Sequence, residues 1–259
     1  MISPLAYVDK EARIGANVTI HPFAYIDKNV EIGDNCTIMP YASILSGTRM
    51  GTDNIIYQGA IIGATPQDFK FKDEDTLLKI GNHNTIREKV ILNRGTNTTD
   101  CTIIGDGNFL LEGVHLAHDT HLGSHCVLGN GAKTAGNCII DDKAILGSEV
   151  IVKHGCRIGS WALLRDGCRA NKDVPPYIVA AHNPISYYGI NALILAKEGH
   201  LTENVIDNIA KCYRQIYQCG TSLENALRRI KDIIPLSPEI TYLVDFIEQS
   251  KKGIIGTTM

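Results

Sequence analysis

The sequence predicts a β-solenoid, a parallel β-helix of hexapeptide repeats followed by a C-terminal α-helical domain. Three observations carry this. First, a large aliphatic recurs at every sixth residue from Val8: of the positions at that step up to Leu164, all but Asp68, Glu74, Thr98 and Thr134 are Ile, Leu, Val or Met. A period of six fits neither the helical period of 3.6 nor simple strand alternation, and it is the signature of a hexapeptide β-helix. Second, a mostly small residue precedes each aliphatic by two positions, as in Ala6, Ala12, Ala24, Cys36 and Ala42. Third, the repeat stops after residue 173, at Asp173-Val174-Pro175-Pro176-Tyr177, and the pattern turns helical.

The elements follow in order. Glycine often comes directly after the aliphatic (Gly15, Gly33, Gly51, Gly81, Gly105, Gly123), with 18-residue spacings within groups. Three strands and three turns would then make one triangular coil, and these glycines, with Asn, are expected to supply the positive φ of the turns. About nine coils at a strand spacing near 4.8 Å give a prism roughly 40 Å tall. Residues 64–77 and 94–101 break the pattern and are expected as loop insertions. Beyond the repeat, a short helix is expected over Gly189–Lys197. Thr202, Ser222 and Ser237 can cap helices over Glu203–Cys219, Leu223–Ile234 and Pro238 to about Lys252. The chain thus divides into a β-helix over 1–176 and a helical domain over 177–259.

Composition narrows the function. The 259 residues are 44% hydrophobic and 20% charged, enough for a large core. The formal charge of −3 gives no bulk field for nucleic acid, and 6% aromatics with one Trp is thin for a stacking binder. No apolar run is long enough for a transmembrane segment, and MISPLAYVDKEARIG lacks the marks of a signal peptide, so a cytoplasmic enzyme or binding protein is expected. Of the eight Cys, five (Cys36, Cys126, Cys138, Cys156, Cys168) fall in the small inward slot and read as core residues, and no CxxC pair occurs.

Four of the nine His crowd into 115–125: His115, His118, His121 and His125. Val114 and Leu116 take the inward slots, so His115 and His118 lie outward or at corners. Stacking at 18 residues places His118 beside Gly136, Gly136 beside His154, Asp119 beside Asn137 and His115 beside Lys133. An imidazole beside a bare backbone N–H suits acyl transfer: the ring as general base, the N–H receiving the oxyanion. No GxSxG or P-loop occurs, which favours direct transfer over a covalent acyl-enzyme. A zinc site built from several imidazoles is the competing reading of the His cluster, but no trio at coil spacing is evident and no residue is assigned to a metal.

The stretches His115-Leu116-Ala117-His118-Asp119, Ile56-Tyr57-Gln58, Gln67-Asp68-Phe69-Lys70, Ile86-Arg87-Glu88, Arg94-Gly95-Thr96 and Gly189-Ile190-Asn191, in this order, resemble the acyl-carrier-protein–UDP-N-acetylglucosamine O-acyltransferase family. The resemblance spans nearly the whole chain. It implies a homotrimer of left-handed β-helices that moves a 3-hydroxyacyl chain from acyl carrier protein to the 3-hydroxyl of UDP-N-acetylglucosamine, the first step of lipid A biosynthesis. No cofactor is implied beyond the carrier's own phosphopantetheine. His118 would be the base, Gly136 the oxyanion donor and Asp119 the residue that orients His118. Gln67, Asp68, Lys70 and His115 would contact substrate, as would Asn137, His154, Asn191 and Lys197.

Some positions depart from the family. Asn137 stands where a His is common, Lys153-His154 where His-Gln is common, Leu193 where an acidic residue is common and Lys197 where an Arg is common. A 3-amino sugar acceptor therefore stays open, as does a CoA-dependent acetyltransferase of the same fold. A non-catalytic scaffold is the reading from another class. Lys153, Arg157, Arg165, Arg169 and Lys172 form a local basic surplus suited to an acidic carrier protein.

Overall fold

The structure, a computed structural model, describes residues 1–257 apart from Glu198 and His200. Short strands, most of two residues, run from Tyr7–Val8 to Arg169–Ala170 and, with the later strands Ile178–Ala181 and Ser186–Ile190, stack into three sheets of nine, eight and ten strands among the described residues. Within the coils the pairing is parallel and 18 residues apart, as for Val8 beside Ile26 and Leu116 beside Thr134. The result is a left-handed β-helix of hexapeptide repeats.

Both inward slots fill the prism. From Ile20 onward the aliphatics of the six-residue step are buried in columns, Ile26, Ile38, Ile44, Ile56 and Leu116 completely so. Burying each of these side chains contributes about 1.5–3 kcal/mol. The five cysteines of the small slot are buried beside them, and burial pushes the thiols of Cys126 and Cys138 up to about 12. They act as small apolar side chains.

The glycines after the aliphatics do a different job from the one expected. The left-handed backbone lies two residues on, at Asn17, Asn35, Asp53 and His83, with φ of 57, 59, 58 and 56°. Gly63, at φ +81°, is an exception. Elsewhere the glycine makes room for the next coil: a Cβ on Gly33 would lie 2.6 Å from the Gly51 carbonyl oxygen, and one on Gly105 2.7 Å from that of Gly123. The next coil's side chains then cap the following N–H, as Asp142 Oδ1 does for Ser124 N at 2.8 Å and Asp166 Oδ1 for Ser148 N at 2.8 Å.

The two insertions are whole hexads. Ile80 pairs with Met50 and with Ile104, offsets of 30 and 24 instead of 18, so the loops add 12 and 6 residues. The inward phase survives both, which is why the six-residue step resumes after them.

Beyond the coils, Ile178–Ala181 adds in parallel to Leu163–Leu164, and Ser186–Ile190 folds back antiparallel on it. This hairpin takes the first residues of the expected short helix, so α1 spans only Ala192–Lys197. Helices α2 (Glu203–Tyr217), α3 (Leu223–Ile233) and α4 (Pro238–Glu248) follow. Thr202, Ser222 and Ser237 cap them, accepting from Val205, Asn225 and Ile240 N–H. α4 ends short of Lys252 because the chain turns at Gly253 (φ +70°) and pairs Ile254 with Asp173. Tyr242 of α4 fastens the helices to the prism: its hydroxyl donates to Asp141 Oδ2 at 2.6 Å and accepts from Ser160 N at 2.9 Å.

Two measurements check this account. Gly105→Ala is expected to cost about 1–3 kcal/mol in denaturant unfolding, since backbone meets the new methyl. Asp53→Gly, at a left-handed corner, is expected to stay within about 1 kcal/mol of wild type. Separately, seven of the eight cysteines are buried and Cys219 is exposed. A thiol reagent should therefore titrate one thiol rapidly in the native protein and all eight after unfolding.

Candidate active site

The corner between strands His115–Leu116 and His121–Leu122 carries the candidate site. Outward-facing at this corner, His118 is nevertheless covered, its side chain only 11% exposed. Its Nδ1 lies 2.8 Å from Asp119 Oδ2. Asp119 takes the left-handed corner conformation, φ 57°, and is buried. Burial alone would raise the Asp119 pKa; hydrogen bonds from His118 and Thr96 outweigh it and hold the carboxyl below its ordinary value. An ionised carboxylate only accepts, so Nδ1 carries a proton, and in the neutral imidazole the lone pair then lies on Nε2.

Gly136 lies against the ring. A Cβ there would sit 2.4 Å from His118 Cε1 and 2.6 Å from Nε2. Asn137 N donates to the His118 carbonyl at 3.0 Å, which fixes the 18-residue register at this corner. The Gly136 N–H has no acceptor among the described residues. Gly155 N, one coil further, donates to Gly136 O at 3.1 Å and puts His154 in the same stack. Asn137 and His154 are exposed.

The longer insertion supplies the second wall. Asp68 Oδ2 faces His118 Nε2 at 3.8 Å, beyond hydrogen-bond length. Lys70 N and Phe71 N donate to Asp68, tightening the loop, while Gln67, Phe69 and Lys70 are exposed around it. On the neighbouring strand, His115 Nε2 donates to Asn93 Oδ1 at 2.7 Å, and Asn93 Nδ2 donates to Thr65 O at 2.7 Å. Burial, helped by the Lys133 charge, lowers the His115 pKa and keeps the ring neutral.

The structure thus brings together His118, Asp119, Gly136 and Asp68, with His115, Lys70 and Gln67 nearby and Asn137 and His154 on the same edge. It does not bring Asn191 and Lys197 there. Asn191 is buried at the start of α1, where its Nδ2 donates to Trp161 O at 3.0 Å. Trp161 belongs to the next edge of the prism, after strand Arg157–Ile158. Lys197 is exposed at the end of α1. Sequence reasoning gave no role to Asn93, Thr96 or Thr102. Their partners lie 22, 23 and 17 residues away. The six-residue insertion hides the first two from a rule built on 18.

Fold and corner together define a hexapeptide-repeat transferase, and residues 11–40, 29–64 and 101–136 match the family described as bacterial transferase hexapeptide. Residues 173–255 match the second domain of UDP-N-acetylglucosamine O-acyltransferase. An acyl-[acyl-carrier-protein]–UDP-N-acetylglucosamine O-acyltransferase of Halorhodospira halophila is 43% identical over 255 residues, 98% of each chain. One from Thermodesulfovibrio yellowstonii is 38% identical over 98% of this chain and 96% of its own. A UDP-N-acetylglucosamine acyltransferase structure from Bacteroides fragilis superposes with a TM-score of 0.95 at 50% identity, covering 98% of this chain and 100% of that one. The chain belongs to the acyl-[acyl-carrier-protein]–UDP-N-acetylglucosamine O-acyltransferase family.

The neutral His115 makes a prediction. Because its folded pKa lies below the ordinary 6.5, the unfolded chain binds this proton more readily. The stabilisation is full above pH 6.5 and is lost as pH falls below it. His115→Gln should therefore flatten the decline of Tm from pH 6.5 downward. A decline as steep as that of wild type would count against a neutral, half-buried ring.

Proposed function

We propose that this protein transfers a 3-hydroxyacyl chain from acyl carrier protein to the 3-hydroxyl of UDP-N-acetylglucosamine, the first step of lipid A biosynthesis. One observation carries the reading: an imidazole whose Nδ1–H is held by Asp119 lies over Gly136, whose N–H has no acceptor among the described residues. His118 Nε2 takes the proton of the sugar hydroxyl as its oxygen attacks the thioester carbonyl carbon. The Gly136 N–H donates to the oxyanion of the tetrahedral intermediate. Collapse breaks the C–S bond, and the departing thiolate takes the proton from the imidazolium. The ester and the free carrier thiol are the products, with no cofactor other than the carrier's phosphopantetheine.

Asp68, which faces Nε2, is proposed as a substrate contact with Lys70, Gln67 and His115, and with Asn137 and His154 along the edge. Asn191 and Lys197 are proposed as nucleotide contacts made to a neighbouring copy, because within one chain they belong to another edge. That placement supports a homotrimer with its sites between subunits. The division into a β-helix over 1–176 and a helical unit over 177–259 is part of the same proposal. So is a cytoplasmic location, which agrees with the absence, among the described residues, of any helix long and apolar enough to cross a membrane.

For the acidic carrier protein, exposed Lys153, Arg169 and Lys172 offer a dock above the site, joined by exposed Lys251 and Lys252. Lys252 reaches back to within 3.2 Å of the place a Gly155 Cβ would occupy. Arg157 takes no part in it: its guanidinium is paired with Asp141 at 2.9 Å and stacked on Phe246.

Purified protein mixed with 3-hydroxyacyl-carrier proteins of several lengths and UDP-N-acetylglucosamine, or its 3-amino analogue, tests the proposal by mass spectrometry. Acylated UDP-sugar is expected, with His118→Ala slower by about 10²–10⁴-fold. Product with the 3-amino analogue alone would reassign the acceptor. An unimpaired His118→Ala would remove the base assignment.

A further inference from the structure

We propose that Thr96, on the six-residue insertion, is a positioning residue for the His118–Asp119 pair. Its kinetic consequence rests on the acyl-transfer reading; its structural consequence does not.

The Asp119 carboxylate has three donors, and two belong to Thr96. The Thr96 N–H reaches Oδ1 at 3.0 Å and its hydroxyl reaches Oδ2 at 2.7 Å. The third donor is His118 Nδ1, at 2.8 Å on the same Oδ2. One threonine thus clamps both carboxylate oxygens and sets the plane in which Asp119 meets the imidazole. From the other side, the Asp119 N–H donates to Thr102 Oγ1 at 2.8 Å. The Asp119 side chain is only 3% exposed, so water cannot readily replace a lost donor.

The loop that carries Thr96 is itself anchored. Arg94 N donates to Ala64 O and Gly95 N to Leu77 O, each at 3.0 Å, so the clamp hangs from both ends of the longer insertion. Gly95 has no side chain for a reason: a Cβ would come within 3.0 Å of Asp119 Oδ1. A carboxylate fixed in this way keeps the proton of His118 on Nδ1 and its lone pair on Nε2, the tautomer a base needs.

Thr96→Val keeps the shape and the N–H and removes the hydroxyl. Steady-state kinetics with acyl carrier protein donor and UDP-N-acetylglucosamine should show kcat lower by roughly tenfold, a part of what a positioned base contributes, with KM for the sugar nucleotide unchanged. The ¹⁵N NMR signature of His118 should move from the Nδ1–H form toward the Nε2–H form. Thr96→Ser, which keeps the hydroxyl, should restore both readouts. Thr96→Ala replaces Thr96→Val if that variant does not fold. Wild-type kcat and wild-type tautomer without the hydroxyl would overturn the proposal, as would a Thr96→Ser variant as impaired as Thr96→Val. If the wild type turns over no donor while loss of the hydroxyl still shifts the tautomer, the positioning role stands and the acyl-transfer reading fails.

Discussion

The structure depends on the hydrogen bond from one coil's backbone to the next, such as Tyr25 N to the Ala42 carbonyl at 2.9 Å. Repeated along three sheets, it holds neighbouring coils at strand spacing and, outside the two insertions, stacks each residue on the one 18 positions away. Two demands on the corners follow. Where two coils come closest, no Cβ fits, and glycine occupies the place. Where the chain turns inward again, the backbone is left-handed, and residues as different as Asn35, Tyr41, Lys143 and Trp161 accept it. Each costs about 1–2 kcal/mol relative to a right-handed residue, a strain that the surrounding ladder over-determines.

The same register makes the candidate site. His118 and Gly136 meet because they are one coil apart, and Gly136 is bare for a different purpose from Gly33 or Gly105. At those corners the absent Cβ admits backbone, whereas at Gly136 it admits the imidazole of His118. The insertions add what stacking cannot supply. Adding whole hexads, they leave the inward phase untouched and place Asp68 and Thr96 on opposite sides of the His118–Asp119 pair. Function has been added at the edges of the prism at no expense to its core.

This division explains what the sequence disclosed. The coils were legible because each hexad repeats one local rule, and the pairing of His118 with Gly136 followed from counting. Helix starts were legible because Thr202, Ser222 and Ser237 are local caps. The hairpin Ile178–Ile190 was not, because its strands pair with each other and with Leu163–Leu164 outside any period. Asn93 and Thr96 escaped because their partners lie across an insertion. The corner glycines were misread because φ and close approach both favour glycine, and composition alone does not separate them.

An open-ended stack must be closed, since the last coil would expose its unpaired edge and its apolar columns. Here the closure is the helical unit and the returning tail. Asp173, buried past the last coil, accepts from Arg157 N at 2.8 Å and from Ser250 Oγ at 2.6 Å, and pairs with Ile254. Tyr213 of α2 is buried with its hydroxyl on the Pro176 carbonyl. The same closure seats Asn191 on Trp161, one edge away from His118. If Asn191 and Lys197 hold the nucleotide, a single chain carries the proposed base and oxyanion donor but not the group that brings the sugar to them. Catalysis would then require a second copy to present its tail to the His118 edge of the first. The helical unit would then both close its own prism and complete its neighbour's site, linking the stability of each coil stack to the activity of the next.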